Sequence, residues 1–291
     1  MYPAGFEYFA PATLEEASST LERFEGEAKV LAGGQSLIPL MKLRFAAPQA
    51  LVDLNRILGL DGLAEADGAL HIGALVRHKT CERSDLLRGR YGALGGAAPL
   101  ISDPLVRNLG TVGGSLAHAD PQGDWGSVML AVGAKIVAVG PAGTRTIPIE
   151  EFFQGPFTTA LEPAEIVTEV QVPDPGPRAG GTYLKLERKV GDFATVGVAV
   201  HVSLANGTVG RAGIALTAVG PTNLKATAAE EALEGTDLGE DAIRETARLA
   251  AEAAEPRSDV RGSAEYKRNV VRVFTERGLR ATAETARKGG R

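Results

Sequence analysis

Two glycine pairs in this 291-residue sequence stand in the same local setting. One lies in residues 32–36 (AGGQS), directly after a short apolar run, and the other lies in residues 111–115 (TVGGS). Glycine lets another group approach the backbone because no Cβ stands in the way. Successive backbone amides in such a turn form a concave site for an anion. The two loops together therefore predict a grip on the pyrophosphate of a dinucleotide.

A plainer interpretation is that each glycine pair only makes a tight turn. The chain has 36 glycines, and pairs such as Gly95-Gly96 and Gly180-Gly181 occur elsewhere in it. The sequence contains neither Gly-x-Gly-x-x-Gly nor the lysine motif of a P-loop, so it does not support a Rossmann or P-loop nucleotide site. The pattern alone leaves the turn and the phosphate site equally open.

The segments around the first loop read as a small α/β unit. Thr13 and Glu16 open an apolar stripe with helical spacing, which predicts a capped amphipathic helix. Residues 28–32 then read as a short buried strand that runs into the glycines. Residues 50–54 and 70–76 are further strand candidates, a helix begins near residue 80, and the apolar spacing after Trp125 predicts another helix.

The clearest boundary in the chain is the proline-rich stretch at residues 173–177. Beyond it, valines and a leucine alternate strictly over residues 196–204, which is typical of a half-buried strand. Asn206-Gly207 then indicates a β-hairpin, because both residue types tolerate positive φ. Helices are predicted over residues 226–233, 241–255 and 263–287. Strands followed by helices indicate a small α+β domain.

Composition excludes several classes of protein. The formal net charge is −5 and no basic block occurs, which argues against a nucleic-acid partner. The N-terminal residues lack a basic start and an apolar core, and no apolar run reaches the roughly 20 residues that span a bilayer. We therefore expect no integral membrane segment and a cytoplasmic protein, in solution or at the inner face of the membrane. A single cysteine, Cys81, cannot hold an iron–sulfur cluster, and the four histidines show no metal-binding spacing.

Four longer segments carry a family resemblance: LAGGQSLIPLMKLR, LVDLNRI, DPLVRNLGTVGGSLAHADPQGD and YLKLERKVGDFATVGVAV. They resemble the FAD-binding medium subunits of molybdenum hydroxylases, most closely those of the aerobic carbon monoxide dehydrogenase type, over nearly the whole chain. The resemblance implies an α+β fold. A vanillyl-alcohol-oxidase-type (PCMH-type) FAD-binding domain would occupy residues 1–176, with subdomains at about 1–55 and 56–176. A C-terminal α+β domain with a small antiparallel sheet and helices would occupy residues 177–291.

The resemblance also implies a set of cofactor-binding residues and noncovalent FAD. Asp124 would be an acidic FAD contact, Lys185 would lie near the flavin, and Phe193 would lie beside the isoalloxazine ring. Two positions depart from the residue types that are common in the family. Relatives often have His at the position of Gln35 and Asn at the position of Ser115. No catalytic or metal-binding residue is assigned. The pyrophosphate contacts would be Ala32, Gly33, Gly34, Gln35, Ser36, Thr111, Val112, Gly113, Gly114 and Ser115.

Plainer roles remain open for three of these residues. Asp124 could cap the helix that carries Trp125, and Lys185 could be an ordinary exposed lysine on a strand. Phe193 could pack in the core, which is the commoner role of phenylalanine. His118 and Cys81 are conceivable covalent attachment points, but the resemblance implies that FAD is bound noncovalently.

The function that the resemblance implies is electron transfer. Molybdopterin and iron–sulfur clusters would reside only in a large and a small partner subunit, and the complex would be a dimer of heterotrimers. FAD would accept electrons from the iron–sulfur subunit and pass them to an external acceptor. Relatives serve carbon monoxide, purines, N-heterocycles and aldehydes. The large subunit would determine which of these substrates the complex oxidises. Two alternatives are a self-sufficient FAD reductase on the same fold and a non-redox nucleotide-binding module.

Overall fold

A computed structural model describes residues 2–289 of the chain. Its N-terminal part is a three-stranded parallel sheet with two helices. The strands are β1 (Glu7–Phe9), β2 (Ala28–Leu31) and β3 (Ala50–Asp53), and the helices are α1 (Leu14–Arg23) and α2 (Leu37–Lys42). The strand order is β1-β3-β2.

The predicted cap of helix α1 is confirmed. The hydroxyl oxygen of Thr13 accepts the Glu16 amide at 3.2 Å, and the Glu16 carboxylate accepts the Ala12 amide at 2.9 Å. The helix buries Ala17 and Leu21 against the three-stranded sheet. Strand β1 was not predicted from the sequence.

The middle of the chain forms a five-stranded antiparallel sheet and a set of short helices. Its strands are β4 (Leu63–Ala66), β5 (Ala69–Gly73), β6 (Lys135–Gly140), β7 (Gly143–Pro148) and β10 (Ile166–Pro173), in the order β4-β5-β10-β6-β7. A two-stranded ribbon consists of β8 (Phe153–Gly155) and β9 (Thr158–Thr159). The helices are α3 (His78–Arg83), α4 (Asp85–Gly89), α5 (Gly92–Ala97), α6 (Pro104–Leu109), α7 (Val112–His118), α8 (Asp124–Val132) and α9 (Ile149–Phe152).

The C-terminal part is a four-stranded antiparallel sheet followed by helices. Its strands are β11 (Ala179–Leu186), β12 (Val196–Ala205), β13 (Thr208–Thr217) and β14 (Leu224–Lys225), paired in that order. The helices are α10 (Thr227–Leu233), α11 (Glu240–Ala253) and α12 (Ala264–Lys288). Asn206 and Gly207 adopt φ values of 53° and 86°, so the predicted hairpin turn between β12 and β13 is confirmed.

Strand β12 is more deeply buried than its alternating pattern predicts. Every residue from Val196 to Val202 is buried, including Gly197, Ala199 and His201 on the second face. One face of the sheet contacts α12, while the other face contacts α5 and α8 of the middle part. The small residues of the second face allow this close approach, so the strand is covered on both sides rather than half exposed.

Candidate functional site

The two glycine loops contact each other directly. The first loop follows β2 at the carboxyl edge of the parallel sheet. A Cβ on Gly33 would lie 2.3 Å from the carbonyl oxygen of Leu109 and 2.8 Å from Cα of Gly110. A Cβ on Gly114 would lie 3.5 Å from Cβ of Ala32. The structure therefore brings together two loops that lie about 75 residues apart in the sequence, and glycine is required where their backbones touch.

The first loop presents a row of unsatisfied backbone donors. Gly34 has a φ of +70°, which turns the chain from β2 into α2. The amides of residues 33–37 donate to no backbone acceptor among residues 2–289, and the Ser36 side chain does not cap α2. Such free amides beside a helix start are suited to an anion, because their dipoles converge on it. This loop fits the pyrophosphate of FAD.

The second loop is built differently. Thr111 caps α7 by accepting the Gly114 amide at 3.1 Å, and the Gly113 amide donates to the Ala74 carbonyl at 3.0 Å. A Cβ on Gly113 would lie 2.6 Å from Cβ of Ala74. The glycines of this loop therefore allow close packing, and their amides already have acceptors within the protein. Among the residues of the two loops, only Gly34 has a positive φ.

Asp124 and Lys185 form a buried ion pair. Asp124 accepts the Tyr183 hydroxyl at 2.7 Å and the Lys185 ammonium at 3.0 Å. The Lys185 ammonium also donates to the Leu100 carbonyl at 2.8 Å, and its side chain is only 2% exposed. The interpretation of Lys185 as an exposed lysine is therefore wrong. Asp124 does not cap α8 either, because Gly123 occupies the cap position and Asp124 is the first helical residue.

Burial raises the pKa of the Asp124 carboxyl, and the adjacent Lys185 ammonium opposes that shift. Glu187 adds a second carboxylate 3.5 Å from the same ammonium. A lone lysine thus faces two acidic side chains at the junction of α8 and β11. The positive charge of Lys185 therefore offsets the negative charges of Asp124 and Glu187.

Phe193 lies on the surface rather than in the core. The residue is 52% exposed, so the core-packing interpretation is wrong. Its backbone is held in place: its amide donates to Asp192 at 2.9 Å, and its carbonyl accepts Arg261 at 2.8 Å. The loop is ordered by these bonds, and the ring is left available for contact with another molecule.

A buried histidine connects the second loop with α8. The Trp125 indole donates to Nδ1 of His78 at 3.0 Å. A Cβ on Gly110 would lie 2.8 Å from Nε2 of the same ring. Burial lowers the pKa of His78 to about 4, so the ring is neutral and accepts the indole proton. Asp124, the neighbour of Trp125, is in this way tied to the loop region, although no hydrogen bond among residues 2–289 joins Asp124 to either glycine loop.

Four residues around the loops were not predicted from the sequence. Tyr8, Asp53, Asn55 and Arg77 form a hydrogen-bonded chain that ends on backbone carbonyls next to both loops. Asn55 belongs to the segment LVDLNRI that carried part of the resemblance, so that segment was a usable signal. Arg77 had no such signal, since it lies in none of the four segments that carry the resemblance.

Comparison with known proteins identifies the family. The description "FAD binding domain in molybdopterin dehydrogenase" matches residues 4–175, and "CO dehydrogenase flavoprotein C-terminal domain" matches residues 181–282. The chain belongs to the family of FAD-binding medium subunits of the molybdopterin dehydrogenases, or molybdenum hydroxylases. The predicted α+β fold, an FAD-binding domain followed by a C-terminal domain, is confirmed.

Several relatives cover almost the entire chain. The carbon monoxide dehydrogenase medium chain of Hydrogenophaga pseudoflava is 41% identical over 97% of this chain and 98% of its own length. The 6-hydroxypseudooxynicotine dehydrogenase complex subunit alpha of Paenarthrobacter nicotinovorans is 36% identical over 99% of this chain and 97% of its own. A solved carbon monoxide dehydrogenase from H. pseudoflava, lacking the Mo-pyranopterin moiety, superposes with a TM-score of 0.94 at 43% identity, covering 98% and 99% of the two chains.

These comparisons make the chain an FAD-binding subunit of an oxidoreductase complex. They do not favour a self-sufficient reductase or a non-redox module, because the relatives are dehydrogenase subunits. Within residues 2–289, no helix combines the length and apolar character needed to cross a bilayer. The same residues contain no group of three or more His, Cys, Asp or Glu side chains arranged to hold a metal ion.

Proposed function

We propose that this chain holds FAD noncovalently at the contact between its two glycine loops. The observation that carries the proposal is the row of free amides at residues 33–37, in the loop against which the second loop packs. FAD, when bound, supplies two-electron redox chemistry. The proposed cofactor-binding residues are Ala32, Gly33, Gly34, Gln35, Ser36, Thr111, Val112, Gly113, Gly114, Ser115, Asp124, Lys185 and Phe193.

The two loops take different roles in this proposal. The first loop donates amides to the phosphates, while the second loop, whose Gly113 and Gly114 amides already have acceptors, packs against the first as a wall of the site. Phe193 offers an exposed ring that can cover a planar group. Lys185 and Asp124 hold the junction between the middle and C-terminal parts, so their role is to fix the shape of the site. The FAD-binding domain comprises residues 1–176 and the C-terminal domain residues 177–291; of these, residues 1 and 290–291 lie outside the described structure.

We further propose that the chain works inside a cytoplasmic dimer of heterotrimers. A small iron–sulfur subunit would deliver electrons, a large molybdopterin subunit would oxidise the substrate, and this chain would position FAD between them and an external acceptor. The relatives named above support this assignment, since their names describe dehydrogenases and a multi-subunit complex. Cys81 is the only cysteine of the chain, so the electron relay must come from a partner.

Acid precipitation of the purified yellow protein should release all its flavin into the supernatant. Cys81 is fully buried, and burial raises the pKa of its thiol to about 12, so it is a poor nucleophile toward a flavin. His118, the other conceivable attachment point, packs its ring against Phe157 with a centroid distance of 5.2 Å. Absorbance of supernatant and pellet at the flavin maximum provides the measurement, with FAD added to a flavin-free sample as control. Flavin that stays on the washed pellet would contradict noncovalent binding.

The chain, tagged and purified from its native host, should bring down two further subunits, and the eluate should contain iron and molybdenum. Separated from them, it should retain FAD but oxidise no substrate of the complex, because it has no cluster of its own. Mass spectrometry, metal analysis and light scattering measure composition and stoichiometry. A monodisperse single chain with the full activity of the host extract would overturn the assembly, and a 1:1:1 complex of one copy each would overturn the dimer of heterotrimers.

A further inference from the structure

Arg77 is attached to the second glycine loop through its backbone. Arg77 and Thr111 pair as an antiparallel bridge, and the next amide, that of His78, donates to the Gly110 carbonyl at 3.0 Å. On the other side, the Val112 amide donates to the Val76 carbonyl at 3.0 Å. The main chain of Arg77 therefore moves with the second loop as one piece.

The side chain of Arg77 is connected to the first loop through Asn55. One guanidinium nitrogen donates to the Asn55 side-chain oxygen at 2.6 Å, and the Asn55 amide nitrogen donates to the Ala32 carbonyl at 2.9 Å. A second guanidinium nitrogen donates to the carbonyl of Leu109, the same carbonyl against which Gly33 packs. Arg77 and Asn55 thus span the gap between the loops with charge-assisted hydrogen bonds.

Asn55 itself is held in place by residues of the parallel sheet. Its backbone amide donates to Asp53 at 2.9 Å, and the other carboxylate oxygen of Asp53 accepts the Tyr8 hydroxyl at 2.6 Å. Because β1 and β3 are parallel, their carboxyl ends place Tyr8 and Asp53 at the same edge as the first loop. These hydrogen bonds therefore fix the backbone position from which the Asn55 side chain extends.

The Arg77 guanidinium is not occupied by an ion pair. Within residues 2–289 it forms no ion pair with a carboxylate; burial lowers its pKa, and the charges of Asp53 and Asp61 oppose that shift. Arg77 and Asn55 instead line a surface cavity of about 210 Å³. Shortening Arg77 would therefore open space toward solvent and leave no void in the core, so its contacts can be removed with little loss of packing.

We propose that Arg77 and Asn55 are positioning residues that set the gap between the two glycine loops and thereby the affinity for FAD. The proposal rests on the proposed FAD site. An amide binds a phosphate oxygen well only near 2.9 Å and close to linear geometry, so a loop that drifts by a fraction of an ångström loses much of the bond. Neither residue needs to touch the cofactor for this effect.

The test measures the FAD dissociation constant of the deflavinated full chain by calorimetric titration. Arg77→Met and Asn55→Ala should each raise it about tenfold, and the double variant should raise it no further than the single ones, because the two side chains act as one link. Arg77→Lys should restore part of the affinity, since an ammonium still reaches one acceptor.

Arg56→Met is the matched control. Arg56 is the exposed neighbour of Asn55 and is near Asp53, so its removal takes away the same charge from the same region without breaking the link. It should bind FAD like the wild type. Unchanged affinity in Arg77→Met, equal weakening in Arg56→Met, or multiplying losses in the double variant would each overturn the positioning role. A wild-type chain that binds no FAD would instead refute the proposed function. If Arg77→Met does not fold, unchanged FAD affinity in Arg77→Lys and Asn55→Ala also overturns the role.

Discussion

Replacing Gly34 by valine should abolish FAD binding and leave a folded, colourless chain. Gly34 has a φ of +70°, a region that β-branched residues avoid strongly. A Cβ there would also lie 2.7 Å from Cδ1 of Ile38, a contact that this flexible side chain can relieve, so the backbone strain is what forces the loop to move. Any such movement redirects the free amides that we assign to the phosphates. Flavin content after purification and titration with added FAD measure the effect.

Gly68→Val is the control for this prediction. Gly68 has a φ of +77° in the turn between β4 and β5, and a Cβ on this residue would meet no other atom within 4 Å. The variant carries similar backbone strain away from the glycine loops, and it should keep its flavin. If Gly34→Val binds FAD as tightly as Gly68→Val does, the first loop is only a turn and the proposed site is wrong.

Lys185→Met should be the most destabilising single change at the junction of the middle and C-terminal parts. It leaves Asp124 and Glu187 without the cation that they share, and Asp124 is only 6% exposed. Removing one partner of a buried ion pair costs about 3–5 kcal/mol of unfolding free energy. Urea unfolding of the FAD-free chain measures this loss without interference from cofactor binding.

Two comparisons sharpen the Lys185 prediction. Lys288→Met removes an exposed lysine that pairs with the exposed Glu284 at 2.6 Å, and such surface pairs contribute little to stability. Asp124→Asn should lessen the damage of Lys185→Met, because the amide carries no charge to leave unpaired. A loss from Lys185→Met no larger than that from Lys288→Met would contradict the role of the buried pair.

The Lys185 loss should also depend on pH. Burial already raises the folded-state pKa of Asp124 above its ordinary value, and removal of the ammonium raises it further. A carboxyl whose pKa is higher in the folded state favours folding when it is protonated, and this contribution is lost as the pH rises through the folded-state pKa. The difference between wild type and Lys185→Met should therefore be smaller at pH 5 than at pH 8.

Sequence patterns predicted the elements that depend on local interactions. The cap at Thr13 and the turn at Asn206-Gly207 follow from residue types that favour these positions within their own segment. Strand β1 escaped prediction because three residues, Glu7–Phe9, carry too little periodicity, and its pairing partner β3 is more than 40 residues away. The link through Arg77 escaped for a similar reason, since it joins atoms 22 and 32 residues apart in the chain.

Burial was the hardest property to infer at the candidate site. Lysine is rarely buried and phenylalanine usually is, yet Lys185 is enclosed and Phe193 is exposed. Both reversals arise from tertiary contacts: Asp124 on α8 meets Lys185 on β11, and Arg261 fixes the loop below Phe193. A single sequence contains no local signal for such pairings. The different use of amides in the two glycine loops likewise follows from the contact with Ala74.

The first loop belongs to the smallest of the three buried clusters, which α1 and the parallel sheet build around Leu21, Val52 and Leu54. Small cooperative units open more often than the whole chain unfolds, and their opening costs less free energy. The donors that we assign to the phosphates therefore belong to a small unit, and we expect its local opening to cost less free energy than global unfolding. We therefore expect local opening of this unit to contribute to FAD release, and bound FAD to protect the N-terminal segment from proteolysis.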